Sequence, residues 1–184
     1  MSKFEVSIKG TRPLLMHSAA AMLKPKTGKK IKSSEHDPDE EAKACLYTDN
    51  AGHIGIPAIA VLSAMRKSAT QMKKAGQGKK TLKDFVFSGL RVNPDLIVLP
   101  EQKYAVDMQI VVVNRSRVPR ARPRFDQWGA KFNVEILDDD TWDAGTVRQV
   151  LDEAGKYQGL LDYRPLFGTF EVTSMKDETG KEIK

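Results

Sequence analysis

Phe4-Glu5-Val6-Ser7-Ile8-Lys9-Gly10 decides the fold class. Three apolar side chains alternate with polar ones, and a period of two is that of a strand with one face buried. Gly10 and Pro13 close the segment. The alternation returns at residues 131–136, where Phe132, Val134 and Ile136 face inward and Lys131, Asn133 and Glu135 outward, and again at Phe170 and Val172. Met108-Gln109-Ile110-Val111-Val112-Val113 is almost continuously apolar, the pattern of a central strand.

Helical spacing separates these segments. Ile54-Gly55-Ile56-Pro57 opens a helix, with Pro57 in the first turn where its missing N–H costs nothing. Ile59, Leu62, Met65, Ala69 and Met72 recur at three- and four-residue steps and form one apolar stripe. Arg66, Lys67, Lys73 and Lys74 lie off the stripe, and Gly76 ends the helix. Asp138-Asp139-Asp140 forms a turn and sets negative charge ahead of a second helix, where it is favourable. Val147, Val150, Leu151 and Ala154 make that helix's inner side, and Gly155 caps it.

The order strand, helix, strand, strand, helix, strand predicts an α+β fold of the ferredoxin-like or RRM-like kind: a four-stranded antiparallel sheet with two helices on one face. Residues 1–184 read as a single domain with inserted loops at about 18–52 and 77–105. Residues 24–41 have almost no apolar anchor and read as a mobile loop. Leu96-Ile97-Val98-Leu99, ahead of Pro100, is a short strand of a small subdomain, and the tail from Lys176 is polar.

A hydrophobic content of 40% and a charged content of 29% over 184 residues place the chain among globular domains. The lone Cys45 excludes an internal disulfide framework and a cysteine zinc site, and fits a reducing compartment. No stretch approaches the roughly 18–20 apolar residues a membrane helix needs, and the first residues hold no apolar signal core. The expectation is a cytoplasmic protein with no membrane partner. The net charge of +6 is modest, so the placement of the charges matters more than their sum.

Arg115-Ser116-Arg117-Val118-Pro119-Arg120-Ala121-Arg122-Pro123-Arg124 holds five arginines in ten residues. Its prolines oppose regular pairing and predict an extended loop between two strands. Arginine forks match phosphate oxygens and stack on unpaired bases, and Phe125 and Trp128 stand close by for further stacking. The alternative is a solvated turn whose arginines pair with acidic loops. Arg66, Lys67, Lys73, Lys74, Lys79 and Lys80 form either a second basic surface or an ordinary outer helix face. In residues 155–168 (GKYQGLLDYRPLFG), glycines could free backbone N–H groups for an anion, with Tyr163 and Arg164 adding a ring and a charge. The competing reading is a structural loop in which Gly155 caps a helix and Phe167 plugs the core.

Signals for catalysis are sparse. His17, His36 and His53 share no metal-ligand spacing. His17 has the chemistry of a general base for RNA cleavage, and also that of a structural histidine. Asp37, Asp39, Glu40 and Glu41 could hold magnesium or simply be a solvated acidic run. There is no phosphate-binding loop of the Walker type and no nucleophile elbow. The reading taken is therefore non-catalytic, with no metal and no cofactor.

Three blocks together resemble the RAMP superfamily of CRISPR-associated proteins, above all the backbone subunits of effector complexes. They are residues 4–10 followed by Arg12-Pro13-Leu14-Leu15, residues 53–66 (HIGIPAIAVLSAMR), and residues 159–170 (GLLDYRPLFGTF). The resemblance implies an RRM-like core, binding of single-stranded guide RNA along its phosphates, side-by-side self-assembly into a homo-oligomer, other effector subunits as partners, and a place in antiviral defence. It also implies that the arginine segment is a protruding thumb. On this basis the nucleic-acid-binding set is Arg12, Arg66, Lys67, Lys73, Lys74, Arg115, Arg117, Arg120, Arg122, Arg124, Trp128, Tyr163 and Arg164, and Asp37 or Asp39 could stand where some members cut target RNA. The outward strand residues lack the aromatics of an RRM platform, so contacts are expected from loops. Three other readings remain open: a phage or mobile-element protein on single-stranded DNA, a metal-independent guide-processing endoribonuclease, and a protein that mimics a backbone subunit.

Overall fold

The computed structural model describes residues 2–19, 37–74, 76, 78–113 and 115–183. β1 (Ser2–Gly10) leads through β2 (Leu14–Leu15) to the short helix α1 (Pro38–Ala44). β3 (Gly55–Pro57) runs directly into α2 (Ala58–Ser68), and α3 (Val86–Gly89), β4 (Leu90–Asn93) and β5 (Leu96–Val98) follow. β6 (Ala105–Val113) and β7 (Ser116–Phe125) form a long hairpin. β8 (Gly129–Ile136), α4 (Ala144–Glu153) and β9 (Phe170–Asp177) complete the order.

The protein is a mixed α/β structure whose main sheet has four antiparallel strands in the order β4-β8-β1-β9. β1 is central because its alternation is the cleanest: Phe4, Val6 and Ile8 are buried, and Phe4 pairs with Val134, Val6 with Phe132 and Ile8 with Ala130. These side chains join Val61, Met65, Val147, Val150 and Leu151 from α2 and α4 in one core. Full burial of each such side chain is worth about 1.5–3 kcal/mol, so a charge placed at Val6 would break the sheet at its centre. The other face of the sheet carries Glu5, Ser7, Lys9, Arg91, Lys131, Asn133 and Glu135, with no aromatic ring among the described residues. That agrees with the expectation of a sheet without a base-stacking platform.

Several expectations are corrected. The apolar run 108–113 is not a central strand. It belongs to β6, the outer strand of a separate three-stranded sheet ordered β2-β7-β6, and Met108, Ile110 and Val112 stand exposed. The main sheet takes β4 instead, a four-residue strand inside the stretch read as an insertion. The arginine run is not a loop but β7, paired with β6 from Ser116 to Arg124. Its prolines are tolerated for a reason of parity. The Ala121 N–H donates to Glu41 Oε2 (2.9 Å) and the Pro123 carbonyl accepts from the Met16 N–H (3.2 Å), so odd residues of β7 turn their polar groups away from β6. Pro119 and Pro123 fall in that set, where β6 needs no N–H.

α2 also differs from its expected form. It ends at Ser68 and tightens into a 3₁₀ turn, Ala69–Gln71, rather than running to Gly76. Its buried face is Ala58, Val61, Ala64, Met65 and Ser68, while Ile59 is 59% exposed. Of the expected stripe only Met65 and Ala69 are buried. Gly155 does not cap α4: a π-helical turn, Ala154–Gln158, carries on to Gly159. Gly155 is required instead because a Cβ there would lie 2.2 Å from the Phe170 carbonyl oxygen. The loop read at 24–41 ends inside α1, which begins at Pro38 and which Asp37 caps by accepting from the N–H groups of Asp39 and Glu40. The remainder of that reading, 24–36, lies outside the described residues.

Candidate nucleic-acid interface

The β6–β7 ribbon is bound to the body at its base and free beyond it. At the base, Phe125 is buried and β7 pairs with β2. Glu41 of α1 takes two bonds, from the Arg120 guanidinium (3.1 Å) and from the Ala121 N–H. Farther out, no described side chain from 107 to 120 is buried. An extended pair of strands thus stands clear of the core, with the turn at Arg115 (φ 65°) at its tip.

The five arginines divide accordingly. Arg120 pairs with Glu41, and Arg124 with Asp126 (2.7 Å) and Asp107 (3.5 Å). Arg122 is 8% exposed, forms an ion pair with Asp162 of the C-terminal loop, and lies 5.2 Å over the Tyr163 ring. These three are placed as the alternative reading of the run expected, against acidic neighbours. Arg115 and Arg117 are exposed and make no ion pair among the described residues. An anion approaching the ribbon meets those two first.

Trp128 is corrected as a stacking residue. It is 5% exposed, donates its indole N–H to the Arg12 carbonyl (2.8 Å) and packs edge-on to Phe170. No base can reach it, and the same holds for buried Phe125. Arg12 itself is exposed, with one guanidinium N–H on the Pro165 carbonyl (3.3 Å). It lines a cleft of about 600 Å³ together with Lys156, Tyr157 and Pro165, faced by Asp152 and Glu171. Arg66 lies 5.4 Å over the Phe87 ring, and Lys67 and Lys73 are exposed. Lys74 is engaged, with its Nζ bonded to Thr141 Oγ1 (2.6 Å) and 4.0 Å over Phe85. Arg66 and Lys67 sit on α2 and Lys73 and Lys74 just past the turn after it, and the partners of Arg66 and Lys74 (Phe87, Phe85 and Thr141) are not on the ribbon. The structure therefore does not gather the thirteen expected residues into one surface.

The loop 159–168 is structural at its backbone. The Leu160 N–H bonds the Gly168 carbonyl (2.8 Å), the Gly168 N–H bonds that of Pro13 (2.8 Å), and the Asp162 N–H bonds that of Leu15 (3.1 Å). A Cβ on Gly168 would meet the Leu160 oxygen at 2.1 Å, and its φ of 73° also demands glycine. These N–H groups are committed and form no anion cradle. Tyr163 and Arg164 remain exposed on the loop's outer side.

The groups considered for catalysis are not assembled. The His17 carbonyl accepts from the Tyr47 hydroxyl (3.0 Å), and no described acidic group pairs with the His17 ring. His53 Nδ1 lies 2.9 Å from Asp49 Oδ2, and that bond holds the Asp49 carboxyl below the usual range. His36 lies outside the described residues. No cluster that could hold a metal ion occurs among the described residues. Burial, reinforced by Glu41, pushes the Cys45 thiol up, away from the reactive thiolate. Among the described residues no helix is long and apolar enough to cross a membrane. What the expectations missed is the bare apolar side of the ribbon, Met108, Ile110 and Val112. The only sequence signal for it is polar Gln109 between Met108 and Ile110 in an otherwise apolar run.

Fold and site together define a mixed α/β protein with a four-stranded antiparallel sheet and a projecting, arginine-bearing ribbon. A solved chain from a Type III-B Cmr-beta complex bound to cognate target RNA has the same kind of fold: the likeness has a TM-score of 0.55 at 12% identity and covers 96% of this chain and 60% of that one. The protein thus spans 60% of that neighbour's length, and the likeness is one of fold. No protein-family model matches the sequence, and no curated protein does.

Proposed function

We propose that this protein is a non-catalytic RAMP-type subunit that binds single-stranded RNA along its phosphate backbone, in the cytoplasm, alongside other effector subunits. The observation that carries the reading is the fold likeness over 96% of the chain to a member of an RNA-bound effector complex. The strand order β4-β8-β1-β9, with α2 and α4 as the two crossovers, supports a ferredoxin-like core. The ribbon supports the thumb role, its contacts made by Arg115 and Arg117 at the tip. Backbone assembly along a guide RNA, with copies side by side, is the finer form of this reading.

The test is binding of a labelled single-stranded RNA by nucleic-acid-free protein, followed by fluorescence anisotropy over a salt series. Affinity should fall steeply with salt, with a slope in log Kobs against log salt of about −0.7 per phosphate neutralised. Arg115→Glu combined with Arg117→Glu should weaken binding at every sequence tested and flatten that slope. Protein that ignores RNA at low salt refutes the proposal. Equal binding of single-stranded DNA would move the ligand to single strands in general.

A further inference from the structure

β6 is the outer strand of its sheet, and no described strand covers its far edge. Met108 stands opposite Ala121 and Ile110 opposite Pro119, in the register set by β7. Since Ala121 and Pro123 turn their backbone groups away from β6, the positions paired with them do the same. The N–H and C=O groups of Val106, Met108, Ile110 and Val112 therefore point outward along one open edge. The side chains of three of these residues are also bare: Met108 is 54%, Ile110 73% and Val112 71% exposed.

Edges of this kind are normally blunted by lysine, proline, a bulge or very short length. β6 has none of these. It runs nine residues, its sole charge is Asp107, and its pairing with β7 is unbroken. The prolines and arginines that would protect an edge all lie on β7, the covered strand. An open ladder calls for another extended strand, and β6 is complementary to itself. Antiparallel pairing centred on Ile110 sets Ile110 against Ile110 and Met108 against Val112, places Asp107 opposite position 113 rather than opposite another carboxylate, and forms about six new backbone hydrogen bonds.

We propose that the nucleic-acid-free protein forms a two-fold dimer in which the β6 edges of two copies pair antiparallel, joining two ribbons into one six-stranded sheet. Such an isologous contact closes on itself, unlike side-by-side assembly along an RNA, and it does not depend on the RNA reading.

The experiment is sedimentation velocity of nucleic-acid-free protein over a concentration series, with hydrogen exchange on the same samples. Wild type should sediment at twice the 20.5 kDa chain mass, and Ile110→Lys at the single mass. Ile59→Lys, at another exposed apolar position, on α2, should remain dimeric. The amides of Met108, Ile110 and Val112 should be protected in wild type and exchange freely in I110K. A wild type that is monomeric throughout overturns the proposal. So does a dimer that I59K disrupts as fully as I110K, a dimer whose β6 amides exchange freely, or dimerisation seen only when RNA is added. Ile110 is 73% exposed and stands opposite exposed Pro119, and the wild-type exchange measurement stands without any variant. The R115E/R117E binding assay is separate, so failure there leaves these arms untouched.

Discussion

Replacing Arg122 by alanine removes the cation from the least accessible ion pair described in the molecule. The Arg122 side chain is 10% exposed and that of Asp162 26%. The variant leaves Asp162 half-buried without its counter-charge and strips the Tyr163 ring of its guanidinium. Breaking one side of a fully buried pair costs about 3–5 kcal/mol. Water reaches part of Asp162 and recovers part of that, which lowers the expected loss to about 2–3 kcal/mol. In a chain of this length each kcal/mol moves Tm by about 2–4 °C, so Arg122→Ala should melt about 4–12 °C below wild type in calorimetry. Arg117→Ala, at an exposed position on the same strand, should stay within about 0.5 kcal/mol of wild type. The double variant Arg122→Met with Asp162→Leu should recover much of the loss, because neither partner is left charged. Equal stabilities of R122A and R117A would refute the assignment of Arg122 as a structural strut. So would a double variant less stable than R122A.

Gly155→Ala should destabilise by about 1–3 kcal/mol, since its Cβ would strike the Phe170 backbone, which has no rotamer to give; urea titration measures this. Asp143→Ala should cost about 1 kcal/mol, because Asp143 caps α4 by accepting from the Thr146 N–H (2.9 Å). The hydrogen bond from His53 to Asp49, those from Thr146 to Asp143 and from Thr179 to Asp177, and that from the Met175 N–H to Glu182 hold these carboxyls below their ordinary values. Groups with a lowered folded pKa stabilise fully above the unfolded range near about 4, and that stability is lost as pH falls through the folded values. The urea midpoint should therefore change little from these groups between neutral pH and about 5 and drop below about 4. Cys45, buried and with its thiol pushed up, should react with thiol reagents at the rate of local opening, far more slowly than in urea-unfolded protein.

The main sheet was legible because its strands are half-buried, so burial writes itself into the sequence as alternation. β1, β8 and β9 were found in this way, and α4 by its spacing. β4 was not: four residues give too short a sample of any period. The ribbon was misread for two opposite reasons. β6 looks buried because its exposed positions, Met108, Ile110 and Val112, are apolar, and composition does not distinguish a buried apolar face from a bare one. β7 looks irregular because proline forbids pairing only where its N–H is wanted, and that parity is set by partners in α1 and β2 distant in sequence. Of the candidate site, the presence of the arginine run was legible. The division of its members between ion pairs and open solvent was not, since the acids involved, Glu41, Asp107, Asp126 and Asp162, come from four separate segments.

That division gives the ribbon its mechanical character. A two-stranded ribbon in water is marginal alone, so its direction must be held from the base. Arg120 ties it to α1 and Arg122 ties it to the loop 159–168, while that loop is itself pinned to β2 through the Asp162 N–H on the Leu15 carbonyl. Two tethers on different elements fix an orientation that one would leave free to swing. Arg115 and Arg117 are thereby carried clear of the core, with no ion pair of their own among the described residues. Charge at the base is spent on position, and charge at the tip stays exposed. Under the RNA-binding role proposed above, loss of Arg122 should weaken binding through the ribbon's direction, and a variant that restores the tether without the charge, R122M with D162L, should restore binding along with stability.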